Sequence, residues 1–264
     1  MVAKMMRWVR NFLTGPSAYY FFHIPKTAGC TLVDLLEKRF SQEHICPPYY
    51  IHGMLQIPQR DLERYRLFRG HHYNLLFRVL PFRVKTFAFL RDPIERSLSH
   101  YEQIRRTPDH YFHQRVKEQG SFLAFLRDPE TRPMVENFQT RSLLWDENPY
   151  QLAARFSPEQ IQKWSMEKWL ETRLLDHFSP REMLARAKSR LESFGYVGFT
   201  EDFEGCMKRM FHRFGWGPMP AIASQNVSGS RVKKHDLKAE ELRLLEEVTA
   251  VDRDLYDHCR KLAA

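Results

Sequence analysis

The stretch His23-Ile24-Pro25-Lys26-Thr27-Ala28-Gly29-Cys30-Thr31 gathers groups that suit an anion. Lys26 brings a mobile positive charge. Thr27 and Thr31 bring hydroxyls, and Gly29 lets a ligand approach the backbone. Backbone N–H groups at the start of a helix point at whatever sits above them, and the helix dipole favours negative charge there. Phosphate or sulfate is the ligand such a loop selects. It is not a Walker A loop, which needs G-x-x-x-x-G-K-[ST] with the lysine directly after the second glycine. Here the lysine comes three residues before the glycine. That spacing disfavours a kinase using ATP and magnesium through such a loop. Taken alone, the same residues also describe a plain strand-to-helix turn with an exposed lysine.

A second cluster starts at Arg91. An arginine fork and a serine hydroxyl can grip one phosphate together, and Arg91 and Ser99 stand two helical turns apart. Ile94, Leu98 and Tyr101 share an apolar face of that helix, so Ser99 lies on another. The alternative is a capped surface helix with an i,i+4 Asp92–Arg96 pair.

Both clusters need a strand to deliver them and a helix to follow. Residues 18–24 form a short apolar run bounded by prolines and read as a buried strand. A turn over 26–29 leads into a helix over 31–40, with Leu32, Leu35 and Leu36 on one face. Residues 66–70 and 84–90 read as further strands. Asp92 is the N-cap of the next helix, Pro93 its first residue and Glu95 the partner in a capping box. That helix ends at about Arg106, before Pro108. Residues 109–178 read as mostly helical, and Ser157 and Ser179 open capping boxes with Gln160 and Glu182. A strand over 196–199, a helix over 202–214 closed by Gly215, a polar loop over 224–234 and one helix over 237–262 complete the chain. Alternating strands and helices predict an α/β fold with a central parallel sheet flanked by helices. No break in composition divides the chain. It reads as one domain, 1–264, with an N-terminal extension (1–17) and a helical insert (109–178) that could contribute to a ligand site. Trp145, Trp164 and Trp169 can stack on a sugar. Ile161, Trp164, Leu170, Leu174 and Phe178 recur at helical spacing, however, and core packing is the favoured reading.

Composition narrows the classes. The 264 residues carry a net charge of +9, and 43% are hydrophobic, an ordinary share for a globular protein. No apolar run is long enough for a transmembrane helix. Cys30, Cys46, Cys206 and Cys259 are scattered without C-x-x-C spacing, which excludes a zinc ribbon. Between residues 60 and 106 there are eleven basic and five acidic residues, so most of the positive excess lies there. A basic surface favours an anionic partner, whether nucleic acid, a phosphate or sulfate cofactor, an acidic glycan or a membrane surface. No helix-turn-helix, zinc-finger or RNA-recognition signature supports nucleic acid. Residues 1–13 are basic and partly apolar without a proper signal-peptide core. The simplest expectation is a soluble cytoplasmic protein, with a luminal chain trimmed of its anchor as the alternative. The oligomeric state is not legible.

Taken together, FFHIPKTAGCTL (21–32) and RDPIERSLSHY (91–101) resemble the 5′-phosphosulfate loop and the 3′-phosphate motif of sulfotransferases of the carbohydrate type, in the manner of the heparan-sulfate 2-O and 6-O enzymes. Weaker similarity continues through ENFQTRSLL (136–144), GYVGFTEDF (195–203) and the loop over 226–231. The resemblance implies a P-loop-like three-layer α/β fold. It also implies transfer of a sulfuryl group from 3′-phosphoadenosine 5′-phosphosulfate (PAPS) to a hydroxyl, leaving 3′-phosphoadenosine 5′-phosphate (PAP), without a metal. Lys26 would then offset charge on the leaving phosphate. Thr27, Ala28, Gly29, Cys30 and Thr31 would hold the 5′-phosphate. Arg91 and Ser99 would hold the 3′-phosphate, with Ser228, Ser230 and Arg231 closing over it. The family usually has threonine or serine where this chain has Cys30, so the backbone role is the one that carries over. The acceptor hydroxyl must lose its proton, and histidine is the default base near neutral pH. Relatives carry Gly-His at the place of Gly70-His71, which selects His71, with His72 as the alternative. His23, Asn137 and Gln139 are candidates for lining the acceptor site, and helix packing explains the two amides equally well. The acceptor implied is a glycan or another hydroxyl-bearing molecule, acidic groups included. The competing class is a non-catalytic binder of acidic glycan or nucleic acid.

Overall fold

The computed structural model describes residues 18–155, 157, 177–221 and 232–263. Four short strands form one parallel sheet. They are β1 (Tyr19–Phe22), β2 (Leu67–Gly70), β3 (Lys85–Leu90) and β4 (Tyr196–Phe199), in the order β2-β1-β3-β4. All three pairings are parallel, with Tyr19 opposite both Leu67 and Lys85, and Phe87 opposite Tyr196. Parallel strands covered on both faces read as continuous apolar runs rather than alternating ones. YYFF in β1 is buried throughout, as are the last five residues of β3.

The helices are α1 (Gly29–Arg39), α2 (Ile51–Met54), α3 (Leu75–Val79), α4 (Pro93–Arg106), α5 (His113–Gln119), α6 (Phe122–Arg127), α7 (Phe138–Leu144), α8 (Pro149–Arg155), α9 (Pro180–Glu192), α10 (Phe203–Phe214), α11 (Ala239–Val248) and α12 (Ala250–Ala263). Helix α1 buries Leu32, Leu35 and Leu36, the face its spacing predicts. Helix α4 turns Ile94, Leu98, Tyr101 and Ile104 to a second core, filled by Phe112, Val116, Phe125, Met134 and Leu245. Part of the sequence between 109 and 135 is thus the cover of α4. Helix α9 packs on α7 and α12. No helix among the described residues is long and apolar enough to cross a membrane.

Three local expectations change. The single C-terminal helix is two, parted at Thr249. The second piece starts on its own cap, because Asn137 Oδ1 accepts from the amides of Val251 (2.9 Å) and Asp252 (3.2 Å). Asp92 caps α4 as expected, its Oδ1 accepting from Ile94 N and Glu95 N. The carboxylate returning to Asp92 N is that of Glu201, at 2.8 Å, rather than Glu95. Asp92 pairs with Arg253 at 2.6 Å, and Arg96 turns into the core, donating to Met134 O at 2.7 Å. The Ser179–Glu182 capping box is present as read. Gln160 of the Ser157–Gln160 box, Trp164 and Trp169 lie outside the described residues, as does the 1–17 extension.

Candidate functional site at the carboxyl end of the sheet

Each strand hands its next residues to one end of the sheet. His23 and Lys26 follow β1, His71 follows β2, Arg91 follows β3, and Thr200 and Glu201 follow β4. The chain runs from β1 outward to β2, then crosses back over β1 to β3. In open parallel sheets such a switch point leaves a crevice beyond the strand ends, where ligands bind.

The β1–α1 loop is built to keep helix amides open. Lys26 and Ala28 both take positive φ, 72° and 63°. Non-glycine residues adopt that region at a cost, so its double use within three residues marks a specified turn. Ala28 is the N-cap of α1 and offers no side-chain hydrogen bond. The first intrahelical bond is Leu32 N to Ala28 O, at 3.1 Å. The amides of Gly29, Cys30 and Thr31 therefore lie before the ladder begins, where the helix's partial positive charge sits. Cys30 is exposed and Thr31 partly exposed. Thr27 is buried and donates its hydroxyl to Ile24 O at 2.8 Å, so that hydroxyl shapes the loop instead of reaching out as a donor.

Arg91 joins the two clusters. Its Nη1 donates to Lys26 O at 3.3 Å, and its Nη2 approaches Glu95 at 3.5 Å. A guanidinium presents its donors as a planar fork, a geometry that suits an oxyanion. Ser99 lies one turn beyond Glu95 on the same face of α4, partly exposed. The backbone of Arg91 is gripped by the Gln139 amide. Asn137, at φ 43°, spends its carbonyl oxygen on the start of α12. Both amides thus serve backbone positioning. Ser228, Ser230 and Arg231 lie outside the described residues.

Both neighbouring histidines are buried, and they make different hydrogen bonds. His71 Nδ1 donates to His23 O at 3.0 Å. With the proton on Nδ1, the neutral ring carries its lone pair on Nε2. His72 is 0% exposed, sits beside the Tyr20 ring and uses Nε2 on Arg69 O. Burial pushes its pKa down to about 3, with the neighbouring His71 adding to the effect. Its ring is fully covered, whereas 5% of His71 is exposed.

His23 stacks on His71, centroids 4.4 Å apart, and its Nδ1 is 2.7 Å from the Tyr49 hydroxyl. Tyr49 packs edge-on to His71 as well. Sequence reading missed Tyr49; its only signal is an aromatic pair after Pro47-Pro48. It also missed Glu201, which takes Asp92 N with one oxygen and the Tyr256 hydroxyl with the other.

Neither a family model nor a curated protein matches the chain.

Less of the basic stretch is open surface than its composition suggests. Arg96 is 0% exposed, with its guanidinium 4.0 Å from the Phe138 ring centroid. Arg69 is buried against Glu37 at 2.5 Å and Cys46 O at 2.9 Å. Trp145 is buried against Tyr73 and borders a cavity of about 670 Å³ with Phe178, Arg186 and Arg190. That makes it mainly a core residue. No group of three or more His, Cys, Asp or Glu among the described residues is arranged to hold a metal ion.

Proposed function

We propose that this protein is a sulfotransferase of the carbohydrate type, P-loop-like in fold, moving a sulfuryl group from PAPS to a hydroxyl of a glycan or related acceptor. One observation carries the reading. Two motifs 65 residues apart meet through Arg91 and Lys26 beside an uncapped helix N-terminus. The donor set fits a doubly anionic nucleotide: open amides at Gly29, Cys30 and Thr31 for the 5′ group, and Arg91 with Ser99 for the 3′-phosphate.

PAPS, when bound, supplies an activated sulfuryl group. The chain's own residues do the rest. The α1 amides and dipole hold the 5′-phosphate. The Lys26 ammonium offsets the charge that grows there as the bond to sulfur breaks. Such preorganised charge is where most of the rate is gained in group transfer. His71 accepts the acceptor's proton at Nε2, and its Nδ1–H bond to His23 O fixes the tautomer that allows it. His72 has no such access. The reaction needs no metal in this scheme.

Calorimetric titration with PAP tests the reading. Wild-type protein is expected to bind at micromolar Kd or tighter. Arg91→Ala is expected to weaken binding at least tenfold, about 1.4 kcal/mol. Absence of binding by the folded wild-type protein would leave the basic chain as a non-catalytic binder of acidic glycan or nucleic acid.

A further inference from the structure

We propose that the amino end of the sheet is a docking face for an anionic lipid surface, with the apolar side of residues 1–13 entering the headgroup layer.

Four cations at that end carry the proposal. Arg83 and Lys85 lead into β3, Arg39 ends α1 and Arg213 stands in the last turn of α10. All four are exposed, and none pairs with a carboxylate among the described residues. Exposed arginines elsewhere do: Arg78 holds Asp146, Arg115 holds Asp128 and Arg209 holds Asp202. Contacts gather the four round one aromatic group. Lys85 lies over the Tyr19 ring and Arg39 over the Phe40 ring, each 5.8 Å from the centroid. Tyr19 in turn packs on Phe40, Phe214 and Trp216. Arg213 donates to Gly195 O at 2.6 Å, and Gly195 N donates to the carbonyl of Thr86, next to Lys85. With Arg64 and Arg66, which precede β2, these cations outnumber Glu43, Glu63 and Glu192 at the same end. A cluster of unpaired positive charge attracts an anionic surface.

The sequence joined to this end selects the kind of anion. The chain enters β1 at Ala18, whose carbonyl accepts from Lys85 N at 2.9 Å, so residues 1–17 are tethered beside the cations. Those residues include three basic ones and no acidic one. At about 100° per residue, Lys4, Arg7, Arg10 and Asn11 share one arc. Val2, Met5, Val9, Phe12 and Leu13 share the opposite arc, with Trp8 at the border. A basic arc, an apolar arc and a tryptophan suit a segment lying in a bilayer interface. A nucleic acid or acidic polysaccharide would use the charges and leave the apolar arc without a role. Attachment to a bilayer grows with buried apolar area and with attraction to anionic headgroups, and this end supplies both. Docked this way, the crevice at the carboxyl ends of the strands faces away from the lipid.

The test is sedimentation of the full chain with vesicles of phosphatidylcholine alone and of phosphatidylcholine with about 30% phosphatidylserine. Binding to the anionic vesicles is expected to be about tenfold tighter or more, and to fall as salt is raised. A basic residue near such a surface is worth about fivefold, so Arg83→Gln with Lys85→Gln should weaken binding about tenfold or more. Val9→Glu, which breaks the apolar arc, should weaken it about tenfold or more as well, with the melting curve of wild type. A second readout leaves the arc intact. Trp8 emission, taken as the difference between wild type and Trp8→Phe, should move to the blue on anionic vesicles. Equal binding to the two compositions, binding to neither, binding untouched by either variant, or Trp8 emission that stays put overturns the proposal. Capture of heparin or duplex RNA by protein that ignores the vesicles overturns it in favour of a polyanion.

Discussion

Gln139 closes a two-point clamp on the backbone of Arg91. Its Oε1 accepts from Arg91 N at 3.0 Å and its Nε2 donates to Arg91 O at 2.9 Å. A residue just off a strand end has one backbone neighbour fewer than a residue within the sheet, and this amide replaces it. The guanidinium is thereby aimed from a fixed base. Gln139→Ala removes two buried hydrogen bonds, worth about 2 kcal/mol of stability together. The variant should also weaken PAP binding several-fold, because Arg91 then pays the entropy of ordering on binding. Urea unfolding and calorimetry on the same sample separate the two effects. Unchanged affinity in a folded, destabilised variant would show that Arg91 does not depend on the clamp.

Gly29→Ala should act far beyond its size. At the first turn of a helix, alanine is ordinarily favoured over glycine by up to about 1 kcal/mol. Here the new Cβ collides with the His23 ring at 1.7 Å, and the ring is itself wedged against His71 and Phe21. The expected outcome is a loss of stability of about 1–3 kcal/mol, with PAP affinity down at least tenfold. A melting curve equal to or above that of wild type would mean the ring lies elsewhere.

Much of this was legible in the residues, and the reasons are local. Strand-turn-helix units can be read at 18–40 and 84–106 because apolar runs, prolines and caps act over a few residues. Both units stand where they were read. The break at Thr249 was not legible, because the group that caps α12 is Asn137, more than a hundred residues away. Glu201 displaced Glu95 as the carboxylate on Asp92 for the same reason. The burial and hydrogen bonds of His71 and His72 were not legible either, because they depend on the packing around the end of β2. Tyr49 had no periodic signal at all, since it lies in a loop whose course is set by Gly70. That glycine has φ 128°, and a Cβ there would meet Tyr49 O at 2.2 Å.

Stability should fall on acidification below pH 6.5. The His72 pKa is depressed to about 3 in the folded chain, so the unfolded chain binds the extra proton between those values. Folding stability then rises with pH across that window, by at most about 1.4 kcal/mol per unit for this group. His23 is shifted in the same direction by burial. Asp252 acts with the opposite sign. Burial raises its carboxyl above the ordinary value, so its contribution is fullest below the unfolded pKa and declines as pH rises through the folded one. Urea unfolding from pH 4 to 8 checks the slope. A His72→Gln variant should show a shallower acid limb, and an identical limb would exclude His72 as its source.

Asn137 and Asp252 cap each other's helices. Asn137 Oδ1 accepts from the Val251 and Asp252 amides at the start of α12. The Asp252 carboxylate accepts from Gln139 N at 3.0 Å and Thr140 N at 2.7 Å at the start of α7. The buried carboxylate is sustained by those amides, with Arg96 as the nearby positive charge. Asn137→Gly keeps the backbone at φ 43° accessible and removes only the cap, so it should cost about 1 kcal/mol. Asn137→Ala adds strain at positive φ and should cost about 1 kcal/mol more. Asp252→Ala strands two amides and should cost about 2–4 kcal/mol. The double variant Asn137→Gly with Asp252→Ala should be less destabilised than the sum of its parts by at least about 0.5 kcal/mol, because either loss already frees the α7–α12 junction. The Gln139 clamp starts from that junction. PAP affinity should therefore fall in Asp252→Ala but not in an equally destabilised variant in the α4 core, such as Leu98→Ala. Equal affinities in those two would detach the junction from the site.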